Sequence, residues 1–385
     1  MAIILFDDKA HQTLLPLTYT RPVADLRIGI LTIAEKWAKH LDTTYSFHTQ
    51  PYLQGKFPLK TGAGDIFING SVCPDEGLVE AIDNLKVGEA LKQGEFLIAA
   101  KAETDAEFDR VINYGQYFIA IKHPDDIFSK NHIELHKDFK LLTKGRTSAA
   151  ISQTNTIIGN DFFAEEGAIA ECSTFNTTNG PIYLGADTEV WEGTHIRGAF
   201  ALCEHSQVKM GAKIYGATTV GPHSRVGGEI SNAVIWGYSS KGHDGFLGNS
   251  VLGEWCNIGA DSNNSNLKNN YAEVKLWDYA TQHYRKTGLQ FCGLIMGDHS
   301  KCGINTMFNT GTVVGVSANI FGAGMPLNFV PDFSWGSADG FEVYFLRKMF
   351  ETAERVYARR DRVFDKTEQD ILEKIFELTE EYREY

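Results

Sequence analysis

Proline and cysteine are scarce in this chain, and the way they are scattered removes several classes at once. There are only 10 prolines in 385 residues, and the six cysteines (Cys73, Cys172, Cys203, Cys256, Cys292, Cys302) show no C-x-x-C spacing. Zinc ribbons and a disulfide framework are therefore not expected. No run is long and apolar enough to span a bilayer, which argues against a membrane role. The opening MAIILFDDKAHQ holds an apolar strand but no basic leader or cleavage site, so it does not read as a signal peptide. A cytoplasmic protein with reduced thiols is expected. The formal charge is −13. A nucleic-acid binder needs a broad basic surface and is not expected either. What is present is ample apolar material, 43% of residues, enough for two or three domains with their own cores.

A repeat of six dominates the middle of the chain. From Leu184 every sixth residue is aliphatic: Leu184, Val190, Ile196, Leu202, Val208, Ile214, Val220, Val226. Four residues after the first seven of these, the side chain is small in six (Thr188, Thr194, Ser206, Ala212, Thr218, Ser224), with Phe200 the exception. A second array runs Met296, Cys302, Phe308, Val314, Ile320, with Ser300, Thr306, Thr312 and Ala318 at the small position. Between the arrays, Phe246, Leu252 and Ile258 keep the spacing. A short strand, a tight turn and another strand make one side of a triangular coil, in which aliphatic residues point inward and stack on the next coil. The small residue fits the crowded corner. An ordinary sandwich of alternating strands would not hold phase through so many sixes. The pattern predicts a left-handed parallel β-helix over 151–338.

The flanks read differently. Over residues 1–150, apolar runs (Ile3 to Phe6, Ile66 to Ile68, Phe96 to Ala99, Tyr117 to Ile121) alternate with helical stretches at 30–41 and 77–92, which predicts an α/β, Rossmann-like layer domain. The polar stretch at 150–180 leads into the coils. Residues 261–288 break the phase and are rich in Asn, as expected of an inserted loop or arm. Over 339–385 the spacing turns helical. Phe341, Phe345, Met349, Ala353 and Val356 could share one face, and Thr367 with Asp370 marks the start of a second helix. These helices are expected to cap the open end of the β-helix. The basic residues Arg347, Lys348, Arg355, Arg359 and Arg360 read as a solvated face that could also lie near the phosphates of coenzyme A.

The segment SSKGHDGFLGNSVLGEWCNIGADSNNSN (239–266) resembles the acetyltransferase site of the bifunctional enzymes that acetylate glucosamine 1-phosphate and then uridylylate it. Those enzymes carry Lys-x-x-His-x-x-Tyr-x-Gly-Asp, then Asn-Ile-Gly-Ala, then a further Asn. His243 takes the place of the family's base and Phe246 that of its sugar-contacting Tyr. Asn257 to Ala260 match the Asn-Ile-Gly-Ala run, Asn266 falls on the downstream Asn, and Lys241 lies one residue out of register with the family Lys. GINTMFNTGTVVG (303–315) is similar to the coils that bind acetyl-CoA. The resemblance covers about 180–325 and implies an acetyl-CoA-dependent N-acetyltransferase on the route to UDP-N-acetylglucosamine, acting on an amino-sugar phosphate. It also implies a homotrimer.

The N-terminal region resembles the same family's nucleotidyltransferase half more distantly. LLPLTYTRPVADLRIGI (14–30) is similar to the opening signature of sugar nucleotidyltransferases. FDDKAHQT stands where the family has its Gly-rich phosphate loop, Val23 stands for its Lys, and Ser71 for its metal-binding Asp. Without the glycines, backbone amides cannot converge on a triphosphate. Without the acid, Mg²⁺ loses a hard oxygen ligand. The expectation is a domain that keeps the fold and binds a nucleotide sugar, with Arg21, Asp25 and Arg27 as candidates. Uridylyl transfer, with Mg²⁺, would run through Asp7, Asp8 or Asp75.

Chemistry assigns provisional roles. Acetyl transfer needs a deprotonated amine, a stabilised oxyanion and a departing thiolate. A histidine suits the first task because its ordinary pKa lies near neutrality. His243 is therefore the expected base, with Asp244 to orient it. Backbone N–H groups near Gly259 and Gly303 would hold the oxyanion, and Ala260, Thr306 and Thr312 complete the coil positions assigned to acetyl-CoA. Arg225 and Lys241 would meet the sugar phosphate. Phe246, Asn257, Asn266, Lys275 and the Asn cluster 263–270 would contact the sugar. No metal ligand is assigned. His299 is the alternative base. Two other classes stay open: a three-His zinc enzyme of the kind some β-helices form, and a non-catalytic nucleotide-sugar sensor.

Overall fold

The computed structural model describes residues 2–62, 64–102 and 108–385. The N-terminal part is a six-stranded mixed sheet. Strands β1 (Ile3–Phe6), β2 (Tyr45–His48) and β3 (Ile66–Asn69) run parallel, while β5 (Glu89–Gln93), β6 (Phe96–Lys101) and β7 (Arg110–Asn113) extend the sheet in the order β2-β1-β3-β6-β5-β7. A small pair, β4 (Val72–Cys73) with β8 (Ile119–Ala120), lies beside it. The run IILF is buried at all four positions, as a central strand covered on both faces requires. Helix α1 (Ala10–Thr13) follows β1. Helix α2 (Ile33–Leu41) starts at a capping box between Thr32 and Glu35 and buries Trp37, whose indole N–H donates to the Val72 carbonyl. The stretch expected to be helical over 77–92 divides instead. Helix α3 covers Glu76–Asp83, and the chain then turns into β5.

Helix α4 (Pro124–Thr143) was not legible in the apolar pattern, because its buried face carries Asn131, Glu134 and Asp138 beside Ile127, Phe128 and Leu135. Those carboxylates are matched by Lys36 of α2, itself buried, which pairs with both Glu134 and Asp138.

The rest is a parallel β-helix. One coil consists of strands at Ile182–Leu184, Glu189–Val190 and His195–Arg197, and the next of Phe200–Leu202, Gln207–Val208 and Lys213–Tyr215. Leu184 pairs with Leu202 and then Val220, Val190 with Val208 and then Val226, and Ile196 with Ile214. All sit in one core. Coils already begin at Thr156–Ile158, inside the stretch expected only to lead into them. The phase slips where turns shorten: after Val226 the core positions are Ile230 and Ile235, then Lys241, Leu247 and Leu252. Leu247 therefore faces inward and the expected Phe246 does not. One corner takes a left-handed residue in successive coils, at Asp187, His205, His223, Tyr238, Trp255, His299, Ser317 and Phe333. Its rings stack in a ladder, His205 to His223 at 4.8 Å, His223 to Tyr238 at 4.8 Å and Tyr238 to Trp255 at 4.2 Å.

The chain remains in the coil through Asn263–Asn264, which pair with Met307–Phe308. The excursion thus begins later than residue 261. It forms an antiparallel hairpin, Lys275–Asp278 with His283–Lys286, that returns to the N-terminal domain through Arg285 and Asp125. At the far end a hairpin of Ser334–Ser337 and Gly340–Val343 closes the coil, so Phe341 belongs to a strand rather than to a helix face. Helices α5 (Leu346–Ala358) and α6 (Lys366–Leu378) follow. Asp365, not Thr367, caps α6 by accepting from the Glu368 amide. These helices do not simply cover the open end: Tyr357 of α5 stacks on Trp255 at 3.9 Å, and Glu368 of α6 pairs with Lys56 at 2.7 Å. They wedge between the ladder and the N-terminal domain.

Candidate functional site

His243 stands on the coil corner that joins the face carrying Arg225, Ser240 and Asn257 to the face carrying Phe246 and Asn263. Two glycines bracket its turn. Gly245 adopts φ +110°, and a side chain there would strike the Ser262 carbonyl. Gly228 of the preceding coil also needs its missing side chain, since a Cβ would meet the His243 carbonyl at 2.7 Å. The far side of the turn is tied down by the Asp261 amide donating to the Asp244 carbonyl (3.0 Å) and the Glu229 amide donating to the Gly245 carbonyl (3.2 Å). His243 and Asp244 are both exposed. Among the described residues no hydrogen bond joins their side chains, so Asp244 does not orient the imidazole here.

Beside this corner the Phe246 ring lies over Gly248, where the Asn266 amide nitrogen also converges: a Cβ at Gly248 would meet them at 2.5 and 2.7 Å. Asn266 donates to Asn249, and the Phe246 amide donates to Asn263 Oδ1 (2.7 Å). Asn257 is exposed on the adjoining face, and among the described residues its carboxamide makes no hydrogen bond. Ala260 and Ile304 occupy the same corner in the next two coils, with Ile304 69% exposed and Met307 close by at 42%. The fold thus brings His243, Asp244, Phe246, Asn257, Ala260 and Asn266 into one neighbourhood. Asn263, Ile304 and Met307 join them. The two apolar ones were not singled out in sequence, where each reads as an ordinary coil residue; their exposure is the only mark.

The other expected residues are placed differently. Lys241 does not face the solvent; it is 2% exposed and occupies an inward core position. The Gly259 amide donates to the Cys302 carbonyl (3.1 Å) and the Gly303 amide to the Ile320 carbonyl (2.8 Å). Both donors are spent on coil stacking and cannot hold an oxyanion. Thr306 and Thr312 are buried, with hydroxyls donating to the carbonyls of Gly303 and Asn309. Lys275 is exposed on the hairpin, which leaves the coil one corner away from His243. Arg225 is on the neighbouring face, but it gathers with Lys209 and Arg360, whose charged forms it disfavours after burial has done so.

His299, the alternative base, is 6% exposed and stacks parallel to Trp255 and Tyr357. Burial, then Lys301 and Lys56, holds its imidazole well below the usual range. It remains neutral but has no path to a substrate. Among the described residues no group of three or more His, Cys, Asp and Glu is placed to hold a metal ion.

The nucleotide candidates of the N-terminal domain also have partners. Arg21 is buried against Asp298, Glu254 (3.1 Å) and Asp25 (3.2 Å), with its guanidinium 4.9 Å from the Trp236 ring. Thr20 donates to Asp298 at 2.7 Å, and Thr219 of the coil donates to the Gly29 carbonyl at 2.8 Å. Arg27 donates to the Ile30 carbonyl and lies 3.6 Å from Glu35. These residues bolt the domain to the coil; they do not line an open nucleotide site. The loop after β1 is likewise engaged: Asp7 accepts from the Val23 amide and the Thr49 hydroxyl, Asp8 from the Ala10 amide and Asn69, and Ser71 donates to Asn69. Asp75 caps α3.

Comparison with known proteins agrees with this architecture. Residues 3–147 match the family model described as sugar nucleotidyl transferase. The bifunctional protein GlmU of Methanocaldococcus jannaschii is 27% identical over 241 residues, which are 63% of this chain and 52% of that protein, so the chain spans about half the length of that relative. Among solved structures, LpxA from Acinetobacter baumannii aligns at 12% identity over 60% of this chain and 93% of its own, with a TM-score of 0.23. An Arabidopsis UDP-N-acetylglucosamine acyltransferase aligns at 14% over 61% and 94%, also at 0.23. At such scores the coil geometry described above carries the fold assignment by itself. Among the described residues no helix is long and apolar enough to cross a membrane. The chain is thus similar over part of its length to a bifunctional GlmU protein, and it joins a region that matches the sugar nucleotidyl transferase model to a parallel β-helix.

Proposed function

We propose that this protein is an N-acetyltransferase that uses acetyl-CoA to acetylate an amino-sugar phosphate, with glucosamine 1-phosphate the favoured acceptor. The observation that carries the reading is the exposed His243 on a glycine-bracketed corner, beside an unengaged Asn257 and the Phe246–Asn266 surface. The imidazole takes a proton from the sugar amine as nitrogen attacks the thioester carbonyl. The new N–C bond forms, the C–S bond breaks, and the imidazolium returns its proton to the departing thiolate. With the Gly259 and Gly303 amides spent, the Asn257 carboxamide is the donor best placed for the oxyanion. The burial of His299 supports His243 over it.

In a single chain this corner is open. The exposed Ile304 and Met307 support a homotrimer in which a neighbouring copy supplies the second wall and helps hold acetyl-CoA. Six unpaired cysteines, five of them buried, suit a reducing cytoplasm. Binding of a nucleotide sugar by the N-terminal domain, without turnover, is proposed at a surface that does not include Arg21, Asp25 or Arg27, whose side chains are engaged internally; Mg²⁺ would matter only if transfer occurs.

The test is acetyl-CoA consumption against a panel of amino-sugar phosphates. His243→Ala should lower turnover about 10² to 10⁴-fold with the fold intact by circular dichroism; unchanged turnover removes the assignment. Thermal shifts with UDP-N-acetylglucosamine and UTP test the N-terminal domain. A shift with nucleotides alone, and none with acetyl-CoA, would favour the sensor.

A further inference from the structure

We infer that Lys241 is a positioning residue: from inside the coil it holds the turn that presents His243, and its burial serves that turn rather than the stacking of the core. The claim rests on the acetyl-transfer reading of His243 for its functional half only.

The inward row to which Lys241 belongs is otherwise built from Ala170, Val190, Val208, Val226, Ile258, Cys302 and Ile320. One ammonium stands in a column that is otherwise apolar from Ala170 to Ile320 and ends at Gly336. Its Nζ donates to the Gly227 carbonyl at 3.0 Å and to the His243 carbonyl at 2.6 Å. The first acceptor belongs to the previous coil and the second is the apex of the His243 turn, so the side chain clamps the turn to the coil beneath it. The clamp is needed because Gly242 and Gly245 leave the turn free to pivot. Gly242 has open space where a side chain would be, its nearest neighbour being the Ser240 hydroxyl at 3.6 Å. The hydrogen bonds from Asp261 and Glu229 fix only the far side.

The arrangement is costly by the usual rules. Burial pulls the ammonium down to about 8, with Asp244 and Asp261 opposing. A buried charge replaced by an apolar side chain of similar length commonly leaves stability unchanged or higher. A buried ammonium where an aliphatic residue would serve is explained by what it holds.

Lys241→Met separates the two roles. Its melting temperature should equal or exceed that of the wild-type protein. Amide exchange in peptides covering 242–246 should speed up roughly tenfold or more, with neighbouring coils unchanged. The kcat for acetyl transfer should fall about 10- to 100-fold at unaltered KM for acetyl-CoA. Lys241→Gln, which keeps one donor, should lie between. Unchanged exchange at 242–246 in Lys241→Met overturns the proposal. So does a lower melting temperature with faster exchange throughout the coil, or failure of both variants to fold, because either makes the ammonium a folding element. Faster local exchange in a protein whose wild type acetylates no amino sugar would confirm the clamp and overturn the functional half.

Discussion

Twelve histidines offer many candidate bases, and their environments sort them. His205 and His223 are committed to the corner ladder, His299 is walled in by Trp255 and Tyr357, and His243 alone joins an exposed glycine-bracketed turn to a polar face. Asp7 shows the same dependence on surroundings. Burial pushes its carboxyl up to about 7 against the opposing bonds from Thr49 and Val23. A carboxyl whose folded pKa lies above its unfolded one contributes stability that is complete below about pH 4 and is lost as pH rises through about 7. Calorimetric melting temperatures should therefore decline between about pH 4 and about pH 7. Asp7→Asn should flatten that decline and melt higher than wild type at pH 8. An identical profile for the two proteins would refute the role given to Asp7.

The join between the N-terminal domain and the coil rests on a few side chains. Arg21 answers three carboxylates at once, and the negative charge of Asp298 and Glu254 has no other described cation within salt-bridge distance. Removing one partner of such a cluster strands charge in a dry interface at a cost of about 3–5 kcal/mol. Arg21→Ala should split the thermal unfolding of the protein into two transitions, the earlier from the N-terminal domain, and should open the hairpin arm of Lys275–Asp278 and His283–Lys286 to limited proteolysis. A single transition at the wild-type temperature would show the join to be held elsewhere, for instance by the Asn131 carboxamide on the Ala217 carbonyl.

For the assembled protein, the free corner sets the expectation. Ile304 and Met307 are exposed next to His243, and apolar groups left in water beside a reactive side chain are best explained by a surface that covers them. Ile304→Glu should shift sedimentation from trimer to monomer and lower acetyl transfer while the coil stays folded. A wild-type protein that sediments as a monomer would end the trimer proposal. The acidic chain, at −13, also keeps a cationic group at Arg225, Arg359, Arg360 and Arg362. Among the described residues none of these four has a carboxylate partner. Arg225 stands on the coil face that adjoins the His243 corner, Arg359 and Arg360 stand at the end of helix α5, and Arg362 donates to the Tyr238 hydroxyl. Anionic substrates would be drawn to this group.

The β-helix was legible because stacking imposes a strict period: each inward position must be apolar and of similar size, and sixes in phase have no other simple cause. The same rule explains where legibility ended. Turns shortened after Val226 moved Phe246 out of the core and put Leu247 in, a slip that only the paired neighbours Ile230 and Leu247 reveal. Helix α4 was hidden because Lys36, 102 residues before Asp138 in the chain, neutralises its buried acids. The motif around His243 could be matched residue by residue, yet direction could not. A lysine two residues from a histidine in sequence can face substrate or core, and an arginine beside a proline can meet a nucleotide or an aspartate nearly three hundred residues on. Periodicity and residue type are properties of neighbours along the chain, so sequence suffices for them. Burial and partnership are properties of distant segments meeting, and folding alone decides those.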